Sequence, residues 1–202
     1  MRLRKPRIEP LQEDSWSEAQ REVLAPYAAR GQLFNIFTTL GRVPDALKTF
    51  SAWGGFVLLQ SSLPAREREL LILRVGWNCR CGYEWAQHAR IGRGAGLTAE
   101  ELTGIKRGPG FAGWSEQDRL LLSAADELAD THFISDATWN ALGERFSERQ
   151  LMDIVFVVGH YTQVCMMLNT FGVQLDSSLR SDPDFEVDKE PDDAASRRSN
   201  AL

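Results

Sequence analysis

The sequence predicts an all-α protein, and three observations support this fold class. Almost no segment of the 202 residues alternates apolar and polar side chains over six positions, so strands have little support. Nine segments instead have the spacing of helices, and several begin with residues that cap helices. One of them, 147–171, is apolar nearly all round, which indicates a central core helix or a helix in an oligomer interface.

Helix start and stop signals separate the predicted helices. Pro64 follows two serines and fits the first turn of a helix, and both Thr98–Glu101 and Ser147–Gln150 have the capping-box form. Gly94 fits the end of the fifth helix, and the segment 108–110 marks a loop. The predicted helices cover residues 17–29, 32–40, 44–59, 64–77, 81–95, 98–106, 116–131, 135–145 and 147–171.

Composition and charge exclude some classes of function. The formal net charge is −5, from 23 basic and 28 acidic residues. A chain with this charge lacks the basic surface that holds nucleic acid, so we expect no nucleic-acid partner. Three cysteines are too few, and odd in number, for a disulfide scaffold. Since no apolar segment follows the basic residues 1–5, we expect no secretory signal and a cytoplasmic protein.

We also expect no membrane-spanning segment. The most apolar run, 151–168, is interrupted by Asp153, His160 and Gln163. The chain divides into an N-terminal arm and helix (1–30), a helical domain (31–176) and an acidic tail (177–202). The tail has seven acidic and four basic residues and few apolar ones, so we expect it to be disordered.

A group of titratable residues lies on two successive predicted helices. Cys81, Glu84 and His88 are spaced i, i+3 and i+7, so they share one face of the fifth helix. Glu69 lies on the apolar stripe of the preceding helix and is expected to face inward. Burial raises the pKa of a carboxyl group and a nearby imidazolium lowers it. This balance suits an acid or base that acts near neutral pH.

The chain resembles the carboxymuconolactone decarboxylase family, which also contains alkylhydroperoxidase D, over about residues 30–176. The resemblance is carried by Leu63–Leu70, Cys81–His88 and Ile91–Leu97, and by the later segments 159–161 and 166–172. It implies an all-helical, alkylhydroperoxidase D-like fold that assembles as a homotrimer or homohexamer, with sites near the subunit interfaces.

The chain departs from the peroxidase branch of this family at one position. That branch has a Glu, then a Cys-x-x-Cys pair, then a His, and Glu69, Cys81 and His88 match the spacing. Glu84 stands where the second cysteine would be, so a disulfide within the motif is excluded. Cys79 is the near alternative, and its bridge to Cys81 would be strained. The decarboxylase branch is more similar, since it also has Glu-Trp followed by Gln-His.

The resemblance therefore implies a cofactor-independent lyase, or an isomerase, that acts on a small unsaturated acid or lactone by proton transfer. We expect His88 to be the general acid or base, Glu69 or Glu84 to orient it, and Cys81 to be a polar wall or a proton relay. We expect Trp85 and the cation Arg74 to contact the substrate, with Arg90 and Arg93 as further candidate cations. Tyr161 and Asn169 are also expected to contact it, unless they only form hydrogen bonds with other buried polar groups.

Two other interpretations remain. One is a thiol-dependent hydroperoxide reductase that uses Cys81, and the other is a helical oligomer that binds a small acid without turning it over. A metal site is not expected, because the spacing of Cys79, Cys81 and His88 matches no common zinc motif. No cofactor is expected, and the predicted partners are the small-molecule substrate and other copies of the chain.

Overall fold

The computed structural model describes residues 2–186, and this part of the chain contains nine α-helices and no strand. The prediction of an all-α fold is therefore confirmed. Short 3₁₀ turns precede the first helix, at Glu13–Ser15, and follow the last one, at Pro183–Phe185. The helices are α1 (Glu18–Ala29), α2 (Asn35–Leu40), α3 (Pro44–Leu59), α4 (Ala65–Asn78), α5 (Gly82–Gly94), α6 (Ala99–Arg107), α7 (Glu116–Thr131), α8 (Asp136–Gly143) and α9 (Glu148–Phe171).

Local signals explain why the observed helix ends lie close to the predicted ones. The Thr98 side chain accepts a hydrogen bond from the Glu101 amide, and the Glu101 carboxylate accepts one from the Thr98 amide, which completes the predicted capping box of α6. Ser147 and Gln150 do the same for α9. The start of α2 differs most, because it begins at Asn35 after an extended Phe34 rather than at residue 32.

Helix α4 is the centre of the fold and packs against α5, α7 and α9. Its residues 69–73, 75 and 76 are all buried, and six of these seven residues are apolar or glycine. The seventh is Glu69, which is fully buried. Helix α5 approaches α4 closely at Gly92, where a Cβ atom would stand 2.9 Å from Leu97 Cδ1 and 3.6 Å from Glu69 Cβ. Because Gly92 lies one turn after His88, this approach brings the imidazole to Glu69.

Helix α9 crosses the core and leaves one side exposed. By length and composition alone it is apolar enough to cross a membrane, but 56% of its most apolar window is buried inside the protein. Partial burial of this kind is typical of a core helix in a folded domain. Met152, Val155 and Met166 remain exposed along its outer side.

The segment 174–186, which we call the C-terminal strap, lies across α5 and the end of α4. Asp176 accepts a hydrogen bond from the Tyr83 hydroxyl at 2.6 Å. The Phe185 ring is 4% exposed and stands 5.4 Å, centroid to centroid, from both Trp77 and Trp85. The strap is therefore fixed by an anchored carboxylate at one end and a buried aromatic ring at the other.

The acidic residues of the predicted tail have a basic partner within the part of it that the structure describes, residues 177–186. Lys106 lies 2.8 Å from Asp182 and 2.6 Å from Asp184, so part of the acidic charge is paired with a base on α6. Composition does not reveal this pairing, because Lys106 is distant in sequence. Residues 187–202, the rest of the predicted tail, lie outside the described residues.

Candidate active site

The central feature of the site is the His88 imidazole, which lies between two carboxylates. Its Nδ1 atom is 2.7 Å from Glu69 Oε2, within a hydrogen bond. Its Nε2 atom is 3.0 Å from Glu84 Oε1, at ion-pair distance but without hydrogen-bond geometry. Glu69 is fully buried, Glu84 is 3% exposed and His88 is 7% exposed. The imidazole is thus the member of the group that a substrate can reach best.

Two helix faces create this group, as the sequence spacing predicts. Glu84 and His88 are one turn apart on α5, so their side chains lie side by side. Glu69 projects from the apolar face of α4, where the close approach at Gly92 leaves room for the ring. The three side chains lie together in the structure, as the sequence spacing predicts. Their roles in catalysis stay predictions.

The Glu84 carboxyl titrates near neutral pH. Burial is the largest influence on its pKa and raises it, the positive charge of His88 lowers it, and the neighbouring Glu69 charge raises it. The result is a pKa of about 7 in place of the usual 4.5. At neutral pH the group can therefore both hold and release a proton.

The His88 pKa is raised above its usual value of 6.5. Burial alone would lower it, but the charges of Glu84 and Glu69 and the hydrogen bond to Glu69 outweigh that effect. Arg68 acts in the opposite direction, because its charge is within electrostatic range of the imidazole. A protonated imidazole at neutral pH is the form that donates a proton.

Tyr161 lies against the other side of the imidazole. Its ring meets the His88 ring edge to face, with centroids 5.0 Å apart, and it meets His160 in the same way at 5.2 Å. Burial and the nearby carboxylates Glu84 and Glu69 raise the pKa of its hydroxyl well above 10. The predicted position of Tyr161 beside the site is therefore observed, and its hydroxyl stays protonated.

Arg68 is a cation near this group that was not among the predicted site residues. Its charge influences the pKa of both His88 and Tyr161. Its Nε atom is buried and has no hydrogen-bond partner among the described residues. A buried guanidinium nitrogen without a partner is costly, so this cation is suited to an anionic group that the chain itself does not supply.

Arg74, the expected substrate cation, has a different position. Its guanidinium donates to both carboxylate oxygens of Asp126, at 2.6 and 2.8 Å, and to the Ile105 carbonyl at 2.7 Å. These bonds tie α4 to α6 and α7 and favour a structural role for Arg74, so its contact with a substrate stays a prediction. Arg90 and Arg93 are exposed on α5.

Trp85 and Asn169 also face structural partners. The Trp85 indole donates to Asp182 at 3.0 Å and lies beneath the C-terminal strap. The Asn169 amide donates to the Cys79 carbonyl at 2.9 Å, which joins α9 to the end of α4. Both polar groups have partners inside the fold, which favours structural roles, and their contact with a substrate stays a prediction.

Cys81 lies near the other two thiols of the chain. It precedes the first residue of α5 and is 1% exposed. Burial is the largest influence on the pKa of the Cys165 thiol of α9, and the nearby thiols Cys79 and Cys81 raise it further. Cys165 was not among the predicted site residues, although Tyr161, Cys165 and Asn169 recur every four residues and therefore share one face of α9.

The residues of this site do not resemble a metal centre. Within residues 2–186, no group of three or more His, Cys, Asp or Glu side chains is placed to hold a metal ion. A cavity of about 360 Å³ lies on the outer side of the strap, lined by Trp77, Arg80, Lys106 and Asp184 among others. It does not include His88, so it is separate from the candidate active site.

Comparisons with known proteins agree with this architecture. Residues 44–127 match the model of the Carboxymuconolactone decarboxylase family. No curated protein sequence matches the chain. An uncharacterized peroxidase-related protein from Ralstonia eutropha JMP134, described as an alkylhydroperoxidase AhpD core, is similar in structure with a TM-score of 0.73 and 22% identity over 89% of this chain and 94% of that one.

Two further solved structures have the same fold. A peroxidase-related protein from Silicibacter sp. TM1040 has a TM-score of 0.69 and 18% identity over 87% of this chain and 92% of that one. A cysteine-to-alanine variant of the debrominase Bmp8, in complex with 2,3,4-tribromopyrrole, has a TM-score of 0.70 and 13% identity over 84% of this chain and 91% of that one. Residues 44–127 of the chain thus match the carboxymuconolactone decarboxylase family, and the fold is the one that the AhpD-like proteins have.

Proposed function

We propose that the protein is a cofactor-independent lyase, a decarboxylase, that acts on a small unsaturated carboxylic acid or lactone by acid–base proton transfer. The observation that carries the proposal is the His88 imidazole held between Glu69 and Glu84, all three nearly or fully buried. Three titratable groups in one buried place are costly to keep, which favours a role in proton transfer. The family match of residues 44–127 supports the substrate class.

In this mechanism each charged residue has a separate role. The guanidinium of Arg68 pairs with a carboxylate that the substrate retains. The carbon–carbon bond to a second carboxylate breaks, CO₂ leaves, and the electron pair moves into the conjugated system of the substrate. His88 then delivers a proton to carbon from its Nε2 atom, while Glu69 holds Nδ1 and so fixes the ring. Glu84 restores the proton, since its pKa is about 7.

An isomerase would use the same groups. If the substrate has no carboxylate that can leave, His88 removes a proton from one carbon of the substrate and returns it to another. A double bond then moves and no CO₂ forms. The two reactions differ in product mass, so one product analysis separates them.

The experiment that tests the proposal is product analysis by mass spectrometry. Purified full-length protein is mixed with 4-carboxymuconolactone, without added metal or cofactor. We expect loss of CO₂ and formation of the enol-lactone. An unchanged lactone would refute this substrate, and an unchanged lactone that nevertheless binds tightly would favour the non-catalytic oligomer.

A hydroperoxide reductase centred on Cys81 has less support. Cys81 is 1% exposed, and Glu84 occupies the position where a second cysteine of the motif would lie. Peroxide consumption that Cys81→Ser abolishes would establish this alternative.

We further propose that the protein is a homo-oligomer, a homotrimer or homohexamer as the family resemblance implies. The support is the exposed apolar side of α9, where Met152, Val155 and Met166 are 47%, 37% and 62% exposed. An apolar stripe on a core helix is costly in water and is typical of a subunit interface.

A further inference from the structure

We propose that Cys79 and Cys165 form a second, thiol-based redox site, in which a hydroperoxide oxidises the two thiols to a reversible disulfide. This site is separate from the proton-transfer site at His88 and does not depend on the proposed lyase activity. It also differs from a reductase centred on Cys81, because Cys81 takes no part in the disulfide.

The fold gathers all three cysteines of the chain. Cys79 follows the last residue of α4 and Cys81 precedes the first residue of α5, while Cys165 lies on α9. Cys81 and Cys165 are part of the main hydrophobic core, and Cys79 packs against it. All three thiols are free. Because Asn169, one turn after Cys165, donates to the Cys79 carbonyl at 2.9 Å, this stretch of α9 is held against the end of α4.

Burial assigns the first step to Cys79. Cys81 is 1% exposed and Cys165 is fully buried, whereas Cys79 is partly exposed and is the thiol that a small peroxide can meet. The hydrogen bond from Cys165 lowers the Cys79 pKa, burial raises it, and the charge of Arg2 lowers it, with a net lowering. A thiolate is the nucleophilic form of cysteine, so Cys79 reacts first.

Cys165 is suited to the second step. It lies one turn before Asn169, whose side chain donates to the Cys79 carbonyl at 2.9 Å, so α9 holds this thiol near Cys79. Burial raises its pKa well above 9, which keeps it protonated until it reacts. Cys79 and Cys81 are only two residues apart, and a disulfide between them would be strained.

The chemistry is balanced with a hydroperoxide as the oxidant. The Cys79 thiolate attacks one peroxide oxygen, the O–O bond breaks, and an alcohol leaves with the proton that Cys79 lost. Cys79 is then a sulfenic acid. The Cys165 sulfur attacks Cys79 Sγ, the S–O bond breaks, and water leaves with the Cys165 proton. Two thiols are oxidised by two electrons, the peroxide is reduced by two, and an added dithiol restores both thiols.

The test is peptide mapping of the oxidised protein under non-reducing conditions. Reduced full-length protein receives one equivalent of tert-butyl hydroperoxide. Cleavage by trypsin after Arg80 separates Cys79 from Cys81, and Cys165 lies on a third peptide, 150–180. We expect the peptide 75–80 to be linked to the peptide 150–180, and the free thiols to fall from three to one.

Variants separate the roles of the three cysteines. Cys165→Ala should leave a sulfenic acid at Cys79 that dimedone traps, and Cys79→Ser should abolish the reaction. Cys81→Ser is the matched control and should still form the disulfide. A linkage that includes Cys81, or three free thiols after peroxide treatment of the wild-type protein, would overturn the proposal. The wild-type map requires no variant to fold, and His88→Gln should form the disulfide even if its lyase activity is lost.

Discussion

The chemistry of the site depends on how a few side chains shift each other's proton affinity. Burial favours the neutral form of Glu84 and also of His88, but their mutual attraction favours the charged forms. Glu69 adds a second negative charge, which raises the pKa of His88 and also raises the pKa of Glu84. The outcome is an imidazole whose pKa is raised, beside a carboxyl group whose pKa is about 7.

This arrangement predicts that stability falls as pH rises. Glu84 has a pKa of about 7 in the folded protein and a usual value of 4.5, so between these values unfolding releases a proton and becomes easier. At roughly 1.4 kcal/mol per pH unit, Glu84 contributes a loss of roughly 3 kcal/mol between about pH 5 and about pH 8. The raised pKa of His88 acts in the same direction, since the stability it contributes is lost as pH rises through that value.

Denaturant unfolding at about pH 5 and about pH 8 checks this prediction. The Glu84→Gln variant should lose most of the pH dependence, because its amide cannot ionise. Parallel stability curves for the wild-type protein and the variant would show that Glu84 has an ordinary pKa.

The proposed role of Arg68 leads to a separate prediction about substrate binding. A hydrogen bond to a charged group is worth about 1.5–3 kcal/mol, so Arg68→Gln should raise the KM for the substrate roughly tenfold or more. We expect a much smaller change in kcat, since the proton-transfer groups remain. Arg90→Gln, at an exposed position on α5, is the matched control in the same steady-state assay and should behave as wild type. Equal KM values for the two variants would contradict the role of Arg68.

At the scale of the helices, the sequence predicts the features that depend only on residues close together in the chain. Capping boxes at Thr98 and Ser147 and the i, i+4 spacing of Glu84 and His88 depend only on neighbouring residues, and the structure has them as predicted. The pairing of Arg74 with Asp126 could not be predicted locally, because it depends on how α4 is rotated against α7. Asp126, which binds Arg74, is 52 residues away in sequence.

The C-terminal strap was not predictable for the same reason. Its acidic composition indicates disorder, yet its stability comes from Lys106 and from the aromatic pair that encloses Phe185. Phe185→Ala should cost about 3 kcal/mol of unfolding free energy, because a buried ring is lost and a cavity remains. Phe133→Ala, at a ring that is 62% exposed, should change stability by less than about 0.5 kcal/mol. Similar denaturation midpoints for the two variants would show that the strap does not stabilise the fold.

At the scale of the whole molecule, the exposed side of α9 predicts self-association. Met166→Glu places a charge in the proposed interface and should reduce the molar mass measured by light scattering after gel filtration. Phe133→Glu is the control, because Phe133 has the same 62% exposure as Met166 but lies in the α7–α8 loop. A wild-type protein that elutes as a monomer, or an equal effect of both substitutions, would contradict the proposed interface.

Proton transfer by His88 is the central claim, and solvent deuterium reports it directly. The reaction with 4-carboxymuconolactone is run in D₂O, and the product is analysed by mass spectrometry. The wild-type protein and His132→Gln, which changes an exposed histidine, should both give product with one deuterium on carbon. The His88→Gln variant should give almost none while remaining folded. Deuterated product from His88→Gln at the wild-type rate would contradict the account.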